Sequence, residues 1–227
     1  MYAKCGSLVK AQQVMDQLTH PDAFCWSALI AGYAQHGQTH TAVTCFKQMK
    51  SLCLSPTPSI FTCILKAIGR ARALDQGTAI HDEIAEMGLL EKDVVLGASL
   101  VNMYVKCGAL AKAQQVFDEI PIRDEITWTT LITGYAQQGH SDEALKCFER
   151  MQGEGFTPDA MALPCILKAI GTMRLIEKGE QIHNEIIRKG LLKTNDIVLA
   201  TALVDMYAKC GSLGKAQQVF DDFPVRN

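Results

Sequence analysis

Apolar residues recur along the chain at the three- and four-residue spacing of an α-helix. In one stretch Leu131 and Tyr135 lie four positions apart, and Ala144 and Phe148 repeat that spacing further on. Ser141, two residues after the glycine that separates these two pairs, is predicted as the N-cap of the second helix. No segment sustains the two-residue alternation of a strand. The pattern therefore predicts pairs of short helices and an all-α fold.

The same helix pairs return along the chain with a long period. The phrase MYAKCGSLVKAQQVMDQ, which starts at Met1, returns in similar form at Met103 and at Met206, so the spacings are 102 and 103 residues. A single hairpin cannot bury its own apolar stripe, so neighbouring hairpins must cover it. The repeats predict a right-handed superhelical solenoid of stacked helix-turn-helix (αα-hairpin) units. The predicted units are residues 1–22 (incomplete), 23–57, 58–93, 94–124, 125–159, 160–196 and 197–227.

Three phrases within these units carry a family resemblance. They are WTTLITGYAQQGHSDEALKCFERM from Trp128, ILKAIG with KGEQIH from Ile166, and ALVDMYAKCGSL from Ala202. They resemble the P, L and S motifs of plant PLS-class pentatricopeptide repeat proteins, and the unit lengths of 35, 36 or 37, and 31 residues follow the same cycle. Tetratricopeptide repeats share several residue types, but their constant length of 34 does not fit. The resemblance makes 23–57 and 125–159 P repeats, 58–93 and 160–196 L repeats, and 1–22, 94–124 and 197–227 S repeats.

The resemblance implies that the repeats bind single-stranded RNA, with one base read by two or three side chains of each repeat. In the family the fifth and last residues of a repeat select the base, and the second residues of successive repeats sandwich it. The base-selecting residues are then Ser27 with Thr57, Thr62 with Asp93, Ala98 with Asp124, Thr129 with Asp159, Pro164 with Asp196, and Thr201 with Asn227. The sandwiching residues are Phe24, Ser59, Val95, Ile126, Met161 and Val198. The alternative for each residue is that it only caps or packs a helix.

Two of these pairs predict a defined base. Thr129 with Asp159 resembles the guanine-preferring pair, and Thr201 with Asn227 resembles the adenine-preferring pair. The first P repeat implies only a weak purine preference, because a threonine replaces the usual acidic or amide residue. Ala98 has no hydrogen-bonding group, and L repeats follow the code poorly. The expected site, read 5′ to 3′ along the repeats, is purine–x–x–G–x–A.

Net charge gives a mixed indication about nucleic acid. The formal charge is −2 and the isoelectric point is about 6.3, whereas phosphate contacts usually require excess lysine and arginine. Lysines nevertheless recur near the end of one class of first helix, as Lys4, Lys106 and Lys209, and within another, as Lys66 and Lys168. Two interpretations stay open: these lysines line a groove and contact phosphates, or they form a solvated face.

No residue pattern predicts a catalytic, metal or cofactor site. The nine cysteines form no Cys-x-x-Cys pair and mostly occupy equivalent repeat positions, which predicts reduced structural thiols. His81 and His183 lie in His-x-Glu triplets, but the Pro-Cys-x-x-Cys of the zinc deaminases is absent. We therefore expect no enzyme activity in this chain, and any deaminase domain would lie outside it.

Three functions remain open from the sequence. The first is the RNA-recognition module of a C-to-U editing factor in a chloroplast or mitochondrion, with L motifs that resemble docking sites for multiple-organellar-editing-factor proteins. The others are a protein-binding helical scaffold and a factor for organellar RNA splicing or stability. Met1 falls inside a first helix, so we expect a fragment whose uncapped N-terminal edge promotes self-association. The sequence shows no transit peptide and no apolar run long enough for a membrane span.

Overall fold

The computed structural model describes residues 6–19, 21–91, 93–191 and 197–222. All the regular secondary structure in these ranges is helical. The helices are α1 Leu8–Gln17, α2 Ala23–Gln35, α3 Thr39–Ser51, α4 Pro58–Ala71, α5 Leu74–Glu86, α6 Val94–Lys106, α7 Leu110–Glu119, α8 Glu125–Gln137, α9 Ser141–Gly153, α10 Ala162–Met173, α11 Ile176–Arg188, α12 Ile197–Lys209 and α13 Leu213–Asp222. None of these described helices has the length and apolar character to cross a membrane.

Consecutive helices pack as hairpins, and the first helices of successive hairpins pack on each other within residues 1–123 and within residues 124–227. The hairpin pairs include α2 with α3, α6 with α7, α8 with α9 and α12 with α13. Helix α4 packs between α2 and α6, and α10 packs between α8 and α12. The chain divides into two compact units, residues 1–123 and 124–227, and each is a stack of such hairpins. The predicted all-α fold of stacked helical hairpins is therefore confirmed.

The first helices start close to the first residues of the predicted repeats. Five of them begin at Ala23, Pro58, Val94, Glu125 and Ile197. The sixth, α10, begins at Ala162, two residues after the predicted repeat start, because the Asp159 side chain turns the preceding backbone. The helix starts follow the sequence period, and the repeat boundaries themselves stay a prediction.

The predicted apolar stripe of the second helices is largely buried. Ala144, Phe148 and Met151 of α9 are all buried, as the pattern of spacing requires. Two residues at the equivalent positions of other second helices are exposed instead. The Met87 side chain is exposed beyond the end of α5, and Phe220 is 66% exposed on α13, which among the described helices packs only against α12.

The turn between α8 and α9 shows why one predicted cap is wrong. Helix α9 begins at Ser141, so the N-cap position belongs to His140, which makes no side-chain capping bond. Gly139 has a φ of +85°, a conformation that glycine adopts without strain, and this lets the His140 amide donate to the Tyr135 carbonyl at 2.9 Å. The left-handed glycine therefore closes the turn one residue earlier than the serine would.

Glycines bring α6 close to α4 and α12 close to α10. A Cβ on Gly171 of α10 would lie 3.1 Å from the Met206 Cα of α12, and one on Gly179 of α11 would lie 2.5 Å from the Met206 Sδ. Gly69 stands in the same relation to Met103 in the first period, at 3.3 Å. These close approaches fix how α6 lies on α4 and how α12 lies on α10.

Candidate nucleic-acid interface

The predicted sandwiching residues share one environment, which is exposure at the N-terminal end of a first helix. Ser59 is exposed, and the other five are large apolar side chains that the fold leaves in water. Their exposed fractions are 80% for Phe24, 63% for Val95, 67% for Ile126, 68% for Met161 and 66% for Val198. Single exposed apolar residues are ordinary, but their recurrence at the same register in five of the six repeats is not explained by packing.

The predicted fifth-position residues differ in burial and in hydrogen bonding. Those half-buried are Ser27, Thr62, Ala98 and Pro164, whereas Thr201 is exposed and Thr129 is buried. The Ser27 hydroxyl donates to the Ala23 carbonyl at 2.6 Å. The buried Thr129 hydroxyl has no hydrogen-bond partner. Helices α2 and α8 therefore present different chemistry at the same repeat position.

Three predicted last-position aspartates cap the first helix of the next repeat. Their Oδ1 atoms accept backbone hydrogen bonds, from Leu96 N to Asp93 at 3.0 Å, from Thr127 N to Asp124 at 2.8 Å, and from Met161 N and Ala162 N to Asp159 at 3.0 and 2.8 Å. The Thr127 hydroxyl also donates to Asp124. N-capping of this kind contributes about 1 kcal/mol to helix stability. The capping alternative is therefore real for all three residues, and capping does not by itself exclude contact with a base.

The other three last-position residues make no capping bond that the structure describes. Thr57 is exposed and occupies the N-cap position of α4 without a side-chain capping bond. Asp196 and Asn227 lie outside the described residues. The geometry of the predicted adenine-preferring pair is therefore described only for Thr201.

The crevice between α8 and α10 brings several of these groups together. The two helices pack against each other, with Ile126 in the first turn of α8 and Met161 at the N-cap of α10. Asp159 lies at the same N-terminal end, because its carboxylate bonds the backbone there. Thr129 follows one turn along α8. The crevice thus combines two exposed apolar groups, a carboxylate and a buried hydroxyl.

Most of the repeated lysines are available to a ligand. Lys66, Lys106 and Lys168 are exposed, and none forms an ion pair with a described residue. Lys209 is exposed but pairs with Asp205 at 2.6 Å. Lys4 lies outside the described residues.

The two histidines of the His-x-Glu triplets pack against tyrosines of the following hairpin. His81 Nδ1 lies 2.9 Å from the Tyr104 hydroxyl, and His183 Nδ1 lies 2.9 Å from the Tyr207 hydroxyl. Burial lowers the pKa of both histidines and raises the pKa of Tyr207 to about 12. Within the described ranges no group of three or more His, Cys, Asp or Glu residues is placed to hold a metal ion.

The cysteines of the described ranges are free thiols. Cys45 and Cys147 are buried, and the others range from half-buried to exposed. Burial raises the pKa of Cys45 and of Cys63, which keeps these groups protonated at neutral pH.

Comparison with known proteins identifies the repeat. The profile described as "PPR repeat family" matches residues 123–172, and the profile described as "PPR repeat" matches residues 24–54, 99–123 and 198–227. Together the matched segments cover more than half of the chain. The chain belongs to the pentatricopeptide repeat family. The PLS class is a finer assignment that these profiles do not make.

Individual pentatricopeptide repeat proteins match nearly the whole chain. A putative mitochondrial pentatricopeptide repeat-containing protein of Arabidopsis thaliana is 34% identical over 99% of this chain and 35% of its own length. A chloroplastic one from the same plant is 35% identical over 97% of this chain and 26% of its own length. Among solved structures, pentatricopeptide repeat protein PPR10 in complex with an 18-nt psaJ RNA element matches with a TM-score of 0.79 at 20% identity, over 97% of this chain and 33% of that one. The chain thus spans about a third or less of these proteins, and the structural match establishes the fold.

Sequence reasoning missed one polar group in the crevice. The Thr133 hydroxyl, one turn after Thr129 on α8, is buried and has no hydrogen-bond partner. The available signal was the pair of threonines four residues apart, whose counterparts in α2 are Ser27 and Ala31.

Proposed function

We propose that this chain binds single-stranded RNA sequence-selectively through its pentatricopeptide repeats, one nucleotide per repeat. The observation that carries the proposal is the repeated exposure of large apolar side chains at the second position. A nucleobase that inserts between two such side chains removes apolar surface from water on both of its faces. In the second P repeat Ile126 and Met161 bracket one base.

The base between these side chains is read by Thr129 and Asp159. A buried hydroxyl without a partner costs about 1–3 kcal/mol, and a hydrogen bond to a base edge recovers that cost. Both backbone hydrogen bonds to Asp159 end on Oδ1, so its Oδ2 is available to accept from the N–H groups of guanine. Ser27 has already donated its hydroxyl to the backbone, which favours weaker reading by the first P repeat.

In the proposed complex the exposed lysines Lys66, Lys106 and Lys168 bind the phosphates. A single-stranded ligand gives a slope of log K against log salt of about −0.7 per phosphate contact, so three contacts give a slope of about −2. The net charge of −2 keeps non-specific binding weak, so base contacts make a larger share of the affinity.

For the whole protein we infer a role as the recognition module of a C-to-U RNA-editing factor in a chloroplast or mitochondrion. The inference is supported by the P, L and S unit lengths and by the mitochondrial and chloroplastic relatives. The L repeats are the proposed docking sites for multiple-organellar-editing-factor proteins. Exposed Val9, Val14 and Leu18 on α1 support the proposed self-association. A mass that stays monomeric across a concentration series in light scattering would refute that part.

Fluorescence anisotropy with short labelled RNAs tests the proposal. We expect RNA that carries purine–N–N–G–N–A to bind more tightly than the same RNA with the guanine changed to cytosine, and Thr129→Val to reduce this difference. Thr130→Val is the matched control, because the Thr130 hydroxyl already donates to the Ile126 carbonyl at 2.8 Å. Equal loss of discrimination in both variants would argue against base reading. Failure to bind any RNA, alone or with an editing-factor partner, would favour the protein-scaffold function.

A further inference from the structure

Two buried hydroxyls on helix α8 lack the hydrogen bond that many hydroxyls in the other helices make. A serine or threonine in a helix commonly donates to the carbonyl four residues earlier. Residues that do so here are Ser27, Thr44, Thr78, Ser99, Thr130 and Thr172. In the described part of the chain, the buried hydroxyls without a partner are those of Thr129 and Thr133. Buried polar groups without partners are rare enough that each needs an explanation.

Thr133 faces the same crevice as the proposed base-reading residues. It lies next to the Cys165 thiol of α10. Burial raises the pKa of that thiol and the Thr133 hydroxyl opposes the rise, although the two groups do not reach hydrogen-bonding geometry. Thr133 is half-buried as a residue although its hydroxyl oxygen is covered. Threonine occupies two side-chain rotamers in helices, so a rotation about χ1 exchanges the covered hydroxyl for the exposed part of the side chain.

The order of groups along the crevice matches the order of groups in a nucleotide. Asp159 lies at the N-terminal end of α10, so a base edge that reaches it points toward that end. The ribose must then lie on the opposite side of the base, toward the C-terminal ends of α8 and α10. Thr133 is in that direction, about 6 Å beyond Thr129 along the helix axis. The exposed Lys168 follows Cys165 by three residues and suits the phosphate.

We propose that the Thr133 hydroxyl hydrogen-bonds the ribose 2′-hydroxyl of the nucleotide whose base Thr129 reads. This inference rests on the proposed RNA-binding function and adds a residue that recognises the sugar. The 2′-hydroxyl both donates and accepts, and it is the group by which a protein distinguishes RNA from DNA at a given site. Thr133 is thus a specificity-determining residue outside the pairs that select the base.

The first P repeat supplies a natural comparison within the same chain. Ala31 stands where Thr133 stands in the second period, next to an equivalent cysteine, Cys63. This crevice has no hydroxyl at the sugar position, and Ser27 has its hydroxyl bonded to the backbone. The nucleotide opposite Ser27 therefore has no partner of this kind for its 2′-hydroxyl.

Single 2′-deoxy substitutions in the purine–N–N–G–N–A RNA test the inference on the full chain. Removing the 2′-hydroxyl of the guanosine should weaken binding by the wild-type chain roughly three- to tenfold, the value of one hydrogen bond. The same change at the first purine should have little effect. In Thr133→Val the guanosine penalty should disappear, and in Thr133→Ser, which keeps a hydroxyl, it should remain. Ala31→Thr should create a penalty at the first purine.

The outcomes separate this inference from the function on which it rests. Sequence-selective RNA binding with an equal deoxyguanosine penalty in the wild type and in Thr133→Val would overturn the role of Thr133 alone. The absence of any penalty in the wild type would do the same. Failure to bind every RNA would overturn both proposals. Circular dichroism melting of Thr133→Val checks that the variant is folded, and Thr133→Ser carries the test if it is not.

Discussion

Replacing Asp159 by asparagine separates the two roles that its position combines. The carboxylate caps α10 through bonds of 3.0 and 2.8 Å to Met161 N and Ala162 N. Asparagine caps helices as well as aspartate does. The free energy of unfolding of Asp159→Asn should therefore fall by at most a few tenths of a kcal/mol, because the neutral amide interacts less with the helix dipole. Alanine removes the cap, so Asp159→Ala should cost about 1 kcal/mol of unfolding free energy.

Asp159→Asn should change RNA binding more than it changes stability. A carboxylate only accepts hydrogen bonds, whereas an amide both donates and accepts, so the base partner should change from guanine to adenine. If guanine loses and adenine gains one hydrogen bond of about 1 kcal/mol each, their ratio of dissociation constants shifts by about 2 kcal/mol, or roughly thirtyfold.

Two assays on the same three proteins read these effects. Thermal melting of the wild type, Asp159→Asn and Asp159→Ala measures the cap, and anisotropy with guanine- and adenine-containing RNAs measures base preference. Asp93→Asn is a control of the same chemistry in residues 58–93, which the family resemblance makes an L repeat, and there we expect little change in base preference. If Asp159→Asn melts like the wild type and still prefers guanine, then Asp159 is a helix cap only, and the base-reading argument for this pair fails.

Three further predictions concern stability. Gly171→Ala should lower the melting temperature, because its Cβ would lie 3.1 Å from the Met206 backbone, whereas Gly214→Ala, with nothing within 4 Å, should add about 0.5–1 kcal/mol. Burial raises the pKa of Tyr207 to about 12, so stability should fall as pH rises from 10 toward 12, less so in Tyr207→Phe. Burial lowers the pKa of His183, so stability should fall as pH drops below 6.5, less so in His183→Gln. Melting curves across pH check both, and flat profiles would contradict them.

The helices could be predicted from the sequence because each hairpin repeats the same spacing of apolar residues. The apolar spacing around Phe148 specifies a buried stripe whichever hairpin covers it, so the helix type and approximate start follow from the period alone. The apolar spacing was not sufficient to predict burial where burial depends on a neighbouring helix. Phe117 and Phe220 occupy equivalent sequence positions, yet the first is fully buried and the second is 66% exposed.

Side-chain hydrogen bonding was beyond what the sequence could predict. Ser27 and Thr129 hold the same repeat position and carry the same group, but one hydroxyl bonds its own helix and the other is left without a partner. The partner of a helical hydroxyl depends on its χ1 rotamer and on the packing around it, and a repeat pattern specifies neither. The same limit applies to Thr133, whose burial depends on how α8 lies against α10.

Helix capping also limits which residues stand at the base-selecting last position. The described residues there are Thr57, Asp93, Asp124 and Asp159, and each occupies or caps the start of the next first helix. Threonine, serine, aspartate and asparagine are the side chains that cap well, and they are also short polar groups with distinct patterns of donors and acceptors. A repeat can therefore change the hydrogen-bonding pattern it presents to a base while keeping the cap that starts the next helix. Under the proposed function, this is how base preference varies from repeat to repeat without a cost in stability.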